Sequence, residues 1–340
     1  MVGSIEREKN LNSHGLYLGK FAPFHAGHEH VIDEALKTVE HLTVLIYEAP
    51  GLTQVPLGRR ANWIREFNPE VDVIECPDGP TSVTYEITGM KAHEQYVLKK
   101  LGERKITHFF SSEPYGEHMS VALGAIDIRI DQGRERIPIS ATKIRDDLYA
   151  HRSFLNPRVY FDHLIKVVLL GAPSTGKSTL TEKLAEHFKT TYMPEYGREY
   201  WEMNNIQRRL TLEQLLEIAI VHRERELNAA HEADRYFFTD TNALTTKIFS
   251  QYYHGDSLPR LQQLSNETKE RYDIVILCGD DIPYDDTADR SGETNRSDFQ
   301  RATIQELDEL GIKYHEVTGS IQDRIAEVSR ILETMTKGKA

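Results

Sequence analysis

Two stretches of the chain carry residue types spaced for work on phosphate. In GAPSTGKST, Gly171, Gly176, Lys177 and Ser178 stand in the G-x-x-x-x-G-K-[ST] spacing, with Ser174, Thr175 and Thr179 filling the rest of the run. Glycines let backbone N–H groups converge on phosphate at a helix N-terminus, Lys177 adds a point charge, and Ser178 offers a hydroxyl to Mg2+. The run is therefore expected to bind ATP. Asp240 ends the apolar run YFFTD, the place where a Walker B carboxylate holds magnesium or its water. YMPEYGREYW supplies Glu195, Tyr196 and Arg198 on the expected acceptor side. Glu195 and Asp240 are both candidates to orient or deprotonate an acceptor hydroxyl, and the sequence does not choose between them. DIPYDDTADRSGETNRSDFQ is polar and unpatterned, which suits a lid whose Arg290 and Arg296 close over transferring phosphate.

The second stretch lies near the start. GKFAPFHAGHEH places His25 and His28 between an apolar run and a helical pattern, beside a helix N-terminus aimed at an anion. A partner signal, ISATKIR, offers Ser140 and Thr142 as hydrogen-bond donors, with Arg145 one helical turn on, again suited to phosphate.

The surrounding elements must hold these groups at strand ends. Apolar runs rich in β-branched residues occur at LYLGKF, LTVLIY, VDVIEC, THFFSS and AIDIRI, separated by helix-period stretches such as HEHVIDEALKTV. The pattern starts afresh at KVVLLG and continues through YFFTD, DIVILC and KYHEVTG. Strand and helix in alternation predict an α/β fold with a mainly parallel sheet, here twice in succession. Asn156-Pro157 reads as a helix-stopping pair between the two halves, giving domains over 1–157 and 158–340.

Composition narrows the function classes. The 340 residues are 39% hydrophobic and 28% charged, with a formal net charge of -12, which speaks against a general nucleic-acid binder. The start MVGSIEREKNLNSHG has no apolar signal region, and no run approaches a membrane span, so a cytoplasmic enzyme without membrane partners is expected. Cys76 and Cys278 sit inside apolar runs as core thiols and supply no structural zinc site. A homo-oligomer is compatible with this sequence, which does not fix the oligomeric state.

G-x-F-x-P-x-H-x-G-H with I-S-x-T-x-x-R resembles the nucleotidyltransferase superfamily. The order of GKFAPFHAGH, RRANWIREFN, SSEPYGEHM, ISATKIR, GAPSTGKST, PEYGREYW and TDTNALTT, over roughly residues 13–335, is similar to the bifunctional nicotinamide-nucleotide adenylyltransferase and ribosylnicotinamide kinase family (NadR type). The resemblance implies a Rossmann-like nucleotidyltransferase domain followed by a P-loop kinase domain. The second would phosphorylate nicotinamide riboside, and the first would join nicotinamide mononucleotide to ATP, giving NAD and pyrophosphate. His25 and His28 would hold ATP phosphates, Lys20 and Arg145 would neutralise pyrophosphate, and Gly19, Phe21, Gly27, Ser140 and Thr142 would line the ATP site. Arg60 and Trp63 look like nicotinamide-side contacts; Tyr196 and Arg198 would meet the riboside. Family members from enteric bacteria add an N-terminal helix-turn-helix domain, whereas residues 1–14 alone precede the first expected strand here, so DNA repression is not expected. The competing readings are a nucleotide-sensing first domain that controls a riboside kinase, and another adenylyltransferase fused to a nucleoside kinase.

Overall fold

A computed structural model describes residues 10–80, 86–113, 117–205, 209–284 and 293–337. The chain packs as two units, one running to His163 and the other starting at Leu164. The first contains β1 (Asn10–Gly19), α1 (Ala26–Thr38), β2 (Val39–Tyr47), α2 (Leu57–Phe67), β3 (Asp72–Cys76), α3 (Ile87–Leu101), β4 (His108–Ser111), α4 (Glu117–Leu123), β5 (Ile126–Arg129), α5 (Ala141–Asp146) and α6 (Pro157–His163). The second contains β6 (Ile165–Leu170), α7 (Lys177–Phe188), β7 (Tyr192–Met193), α8 (Tyr196–Asn204), α9 (Leu212–Ala230), β8 (Tyr236–Asp240), α10 (Ala243–His254), α11 (Pro259–Asn266), α12 (Thr268–Arg271), β9 (Ile274–Cys278), α13 (Glu293–Glu309), β10 (His315–Val317) and α14 (Ile321–Lys337).

Each unit holds one five-stranded sheet, ordered β3-β2-β1-β4-β5 and β10-β9-β6-β8-β7, with every pairing parallel. A parallel sheet is covered on both faces, which is why its strands read as unbroken apolar runs. β6 shows this directly. Val167 and Leu169 enter one core with Leu180, Leu184 and Val328, while Val168 and Leu170 enter the opposite core with Leu244, Ile248 and Phe299. In the first unit Leu16, Leu45, Cys76 and Phe109 share a core with Val97 and Leu101 of α3. Both cysteines are free and fully buried.

The join differs in one respect from its sequence reading. Asn156-Pro157 opens a helix where a stop was expected: the Asn156 Oδ1 accepts from the Arg158 N–H at 2.9 Å, and proline's fixed φ suits the first helical position. α6 then packs into the first unit, because Asp162 accepts from Arg59 at 2.7 and 2.9 Å and from the Trp63 indole N–H at 2.8 Å. The division therefore falls six residues beyond the one read from the sequence, between His163 and Leu164.

Candidate functional site

In the first unit the strand order reverses between β1 and β4, and ligands of open parallel sheets bind outside the carboxyl ends of such a pair. β1 ends at Gly19, where a Cβ would stand 2.9 Å from the Phe21 ring, so the absent side chain lets that ring fold back over the strand. Phe21 is 1% exposed and packs edge-on against Tyr17 and His28. Expected as an ATP contact, it is instead part of the floor beneath the histidines.

His25 caps α1, and its Nδ1 accepts the Gly27 N–H at 3.0 Å. The Nδ1 of His28 in turn accepts the His25 N–H at 3.3 Å. The two rings stack with centroids 3.8 Å apart, and Phe24 lies against the other face of His28. Gly27 is required here because a Cβ would sit 2.9 Å from the His25 ring. Gly27 was expected to line the ATP site; its N–H is taken by His25, so it acts through that ring. Burial, with help from Arg134 and Arg145, drops the His25 pKa to about 4. Burial, then the neighbouring His25 and Arg134, takes His28 well below the ordinary histidine value. Both rings are therefore neutral at physiological pH. Since each Nδ1 is an acceptor, the proton resides on Nε2, which leaves each ring an N–H donor.

Positive charge reaches this place from other residues. Arg145 donates to the Ala22 carbonyl at 2.6 Å and to Thr142 Oγ1 at 3.1 Å, fastening ISATKIR to the FAPFH turn. Burial, then Arg145 and Arg60, lowers the pKa of Lys20, which places these cations in one field. Ser140 caps α5 by accepting from the Lys143 N–H at 3.3 Å, which leaves its own O–H to donate.

Arg60 and Trp63 face inward. Arg60 is fully buried and donates to the carbonyls of Val55, Lys20 and Tyr47 and to Glu48 Oε1. Trp63 is fully buried, with its N–H on Asp162. In place of the nicotinamide contacts expected of them, Arg60 supports the loop that follows β1 and Trp63 holds α6. Sequence reasoning missed Glu48 and Arg134; the one signal for Glu48 was its place directly after a strand.

In the second unit the loop after β6 has Gly171 at φ 135° and Gly176 at φ 77°. A Cβ on Gly171 would stand 2.8 Å from the Cys278 carbonyl oxygen. The loop carbonyls are held by cations. Ala172 O accepts from Lys177 Nζ at 2.8 Å, Ser174 O from Arg296 at 3.1 Å, and Thr175 O from Arg324 at 2.7 Å. Carbonyls drawn outward in this way leave N–H groups to face an anion. Thr175 is fully buried, with Oγ1 on Ala172 O at 2.9 Å, while Ser178 and Thr179 are exposed at the start of α7.

Arg296 corrects the lid reading. It lies in α13, is 6% exposed, and is already docked against Ser174 and Ile282, so it braces the loop from a helix. Arg290, the other expected lid arginine, lies outside the described residues. Arg324, which the sequence did not single out, ties Thr175 to Asp281 through hydrogen bonds of 2.7 and 2.6 Å.

Ser178, Thr179, Glu195, Arg198, Trp201 and His222 share the wall of one cavity of about 230 Å³, whose apolar side is formed by Ile218, Phe249, Tyr253 and Phe299. Glu195 and Arg198 form an ion pair at 3.4 Å on this wall. Tyr196 is buried beneath the Arg225 guanidinium, 4.0 Å from its ring, and against Tyr200. It was expected to meet substrate; Trp201 takes the aromatic place in the wall. His222, buried at mid-helix on α9, was not picked out either.

Asp240 ends β8 at 1% exposure, and both of its carboxylate oxygens are buried without a hydrogen-bond partner. Burial, and then the charge of Glu195, pushes its pKa up to about 7; the charge of Lys177 and the nearby Ser178 hydroxyl offset part of the rise. Two orphaned oxygens beside the hydroxyl of a phosphate loop fit a divalent cation. Among the described residues no three His, Cys, Asp or Glu side chains form a metal cluster, so such an ion would draw its remaining ligands from phosphate and water. Below Asp240, Glu226 accepts from Thr239 at 2.8 Å, Tyr272 at 2.7 Å and Arg271 at 2.7 Å, anchoring the end of β8 to α9.

Two family models match successive stretches of the chain. Residues 16–147 match the cytidylyltransferase-like family and residues 166–324 match the AAA domain family. The trifunctional NAD biosynthesis/regulator protein NadR of Escherichia coli K12 is 26% identical over 333 residues, covering 91% of this chain and 80% of that protein. NadR of Salmonella typhimurium LT2 is 27% identical over 331 residues, covering 91% and 78%. The chain is NadR-like. A crystal structure of NadR in complex with NAD and AMP-PNP superposes with a TM-score of 0.53 at 21% identity, covering 94% of this chain and 95% of that one. A NadR structure in complex with NR gives 0.52 at 22%, covering 90% and 88%. The NadR-like fold thus extends through both units. No described helix is long and apolar enough to cross a membrane.

Proposed function

We propose that the chain is a bifunctional NAD salvage enzyme: its second unit phosphorylates nicotinamide riboside with ATP, and its first joins the resulting mononucleotide to ATP, giving NAD and pyrophosphate. The observation that carries this reading is the pairing, in one NadR-like chain, of a histidine and cation site at the β1–β4 reversal with a phosphate loop that opens on an aromatic-walled cavity. The NadR structures named for NAD, AMP-PNP and NR support these substrates.

In the second unit the loop N–H groups and Lys177 hold the ATP phosphates, and Trp201, Phe249 and Tyr253 offer faces to a flat ring. Ser178 and Asp240 would hold Mg2+, which supplies charge neutralisation for the transferring phosphoryl group. Glu195, on the cavity wall and steered by Arg198, orients the riboside hydroxyl and takes its proton. In the first unit no protein nucleophile is needed. The mononucleotide phosphate attacks the α-phosphorus of ATP, pyrophosphate leaves, and the Nε2–H groups of His25 and His28 gain strength as charge moves onto the oxygens they face. Lys20 and Arg145 stabilise the leaving group. The reading places the enzyme in the cytoplasm, acting on small molecules and not on DNA, in keeping with the net charge of -12.

The test is incubation of purified protein with ATP, Mg2+ and nicotinamide riboside, followed by product analysis. NAD together with ADP and pyrophosphate is expected. Mononucleotide accumulating with no NAD would remove the first activity, and unchanged riboside would remove the second.

A further inference from the structure

The first-unit site contains a cation that neither motif supplies. β5 (Ile126–Arg129) leads into a turn in which the Asp131 carboxylate accepts three successive backbone N–H groups, from Glu135 at 2.8 Å, Arg136 at 3.1 Å and Ile137 at 2.9 Å. Asp131 and Arg134 both take left-handed backbone angles, with φ 47° and 53°. A conformation that L residues rarely adopt is thus held by side-chain hydrogen bonds, and its effect is to present Arg134 at the tip. Both ends of the turn are anchored to the site. The Ile137 side chain lies 3.9 Å from where a Cβ on Gly27 would stand, between the two histidines. Arg134 donates to Glu113 Oε1 at 2.8 Å, and Glu113 follows β4 at its carboxyl end, the strand beside β1 where the order reverses. Arg134 is therefore held at the carboxyl end of β4, beside the strand-order reversal, in a turn whose Ile137 reaches Gly27 of α1. Its charge contributes to the neutral state of both His25 and His28.

That neutrality creates a requirement. Two neutral imidazoles can donate hydrogen bonds to a polyphosphate but cannot balance its charge; that falls to Lys20, to Arg145, whose amino groups are fixed on Ala22 O and Thr142, and to any further cation the site supplies. Arg134 is paired to a carboxylate whose side chain is 40% exposed, so water can take over Glu113 when the guanidinium leaves it. A guanidinium exchanges readily between a carboxylate and a phosphate because both accept its paired N–H groups.

We infer that Arg134 is a further polyphosphate-binding residue of the first unit: it rests on Glu113 in the free protein and transfers to the nucleoside triphosphate, and then to the departing pyrophosphate, during adenylyl transfer. This assignment rests on the adenylyl-transfer reading of that unit, and the experiment separates the two. Arg134→Asn keeps a residue tolerant of the left-handed backbone and removes the charge, Arg134→Lys keeps the charge and removes the fork, and Glu113→Gln releases the arginine without touching it. Steady-state adenylyl transfer is measured with mononucleotide and ATP. Binding of inorganic tripolyphosphate and of pyrophosphate is measured by calorimetry in full-length Lys177→Ala protein, which silences the phosphate loop. Arg134→Asn should lower kcat/KM for ATP and the affinity for both polyphosphates by tenfold or more, Arg134→Lys should fall between it and wild type, and Glu113→Gln should bind both polyphosphates several-fold more tightly. Far-UV circular dichroism and the urea midpoint of the first unit serve as the folding controls, and riboside phosphorylation, carried by the other unit, should stay unchanged in the three variants. Affinities and KM for ATP within twofold of wild type in Arg134→Asn would overturn the assignment. Arg134-dependent polyphosphate binding without any adenylyl transfer would uphold it while removing the proposed activity, and an absence of polyphosphate binding in the first unit would remove both.

Discussion

The two proposed phosphate sites solve one electrostatic problem with opposite materials. The phosphate loop uses backbone: its glycines at positive φ and its cation-held carbonyls turn N–H groups toward an anion, and its buried Asp240 invites a cation. The histidine site uses side chains: neutral rings donate from Nε2, and charge is brought by Lys20, Arg134 and Arg145 from separate segments. A site made of backbone tolerates few changes in local conformation, whereas a site made of side chains depends on whichever loops deliver them.

The largest effect expected is from Lys177→Ala. Loss of the loop's point charge should cut riboside phosphorylation by about 10²-fold or more, leaving conversion of supplied mononucleotide to NAD nearly intact. Equal loss of both activities in coupled and separate assays would break the comparison at its root. The mirror change, His28→Ala, should lower kcat of adenylyl transfer by about 10²-fold, with less change in substrate affinity, because the Nε2–H bond strengthens in the transition state. Adenylyl transfer within about twofold of wild type would show that His28 faces no phosphate.

Gly171→Ala sharpens the backbone half. A methyl group 2.8 Å from the Cys278 carbonyl, on a residue at φ 135°, should destabilise the second unit by about 1–3 kcal/mol and depress the kinase, leaving adenylyl transfer untouched. Urea unfolding alongside both assays reads this out.

Proton linkage should have opposite signs in the two units. Asp240 carries a raised pKa of about 7, so its contribution to stability is complete below the unfolded carboxylate value and is lost as pH rises through about 7. His25 carries a lowered pKa of about 4, so its contribution is complete above about 6.5 and is lost as pH falls toward 4. Thermal unfolding of metal-free protein between pH 4 and 8 should therefore change slope in opposite directions in Asp240→Asn and His25→Gln relative to wild type, each by at most about 3–4 kcal/mol across the range. Slopes of the same sign would mean that one of the two environments is wrongly described. Below about pH 7 the kinase should also need more Mg2+ as the pH falls, since a proton competes with the ion for Asp240, while adenylyl transfer should show no loss from histidine titration between pH 6 and 8.

How much of this was legible in the sequence follows the same division. Gly171, Gly176, Lys177 and the HAGH pair could be read because local backbone geometry demands those residue types at fixed spacing. The parallel sheets could be read because strands buried on both faces leave unbroken apolar runs. Residues whose neighbours are distant in the chain could not. Phe21 and Tyr196 have the composition of ligand contacts, but the ring of one lies on Tyr17 and His28 and the other lies beneath Arg225. Arg60 and Trp63 carry polar groups that tertiary packing, invisible to spacing, directs into carbonyls and onto Asp162. Glu113 and Arg134 come from different loops and acquire meaning only as a pair. His222 sits in the apolar stripe of a long helix, where its type gives no hint that it reaches a cavity.

The helix opened by Pro157 decides where the chain can be cut. A fragment ending at residue 157 discards Asp162, leaving the buried Trp63 indole N–H without its acceptor and stripping Arg59 of its carboxylate. An unmet buried donor costs about 1–3 kcal/mol, a large share of a domain's margin of stability. A fragment ending at 163 keeps both. The seven residues from Pro157 to His163 thus belong to the first unit as a closing clasp, and any gene that carried this unit alone would have to carry them too.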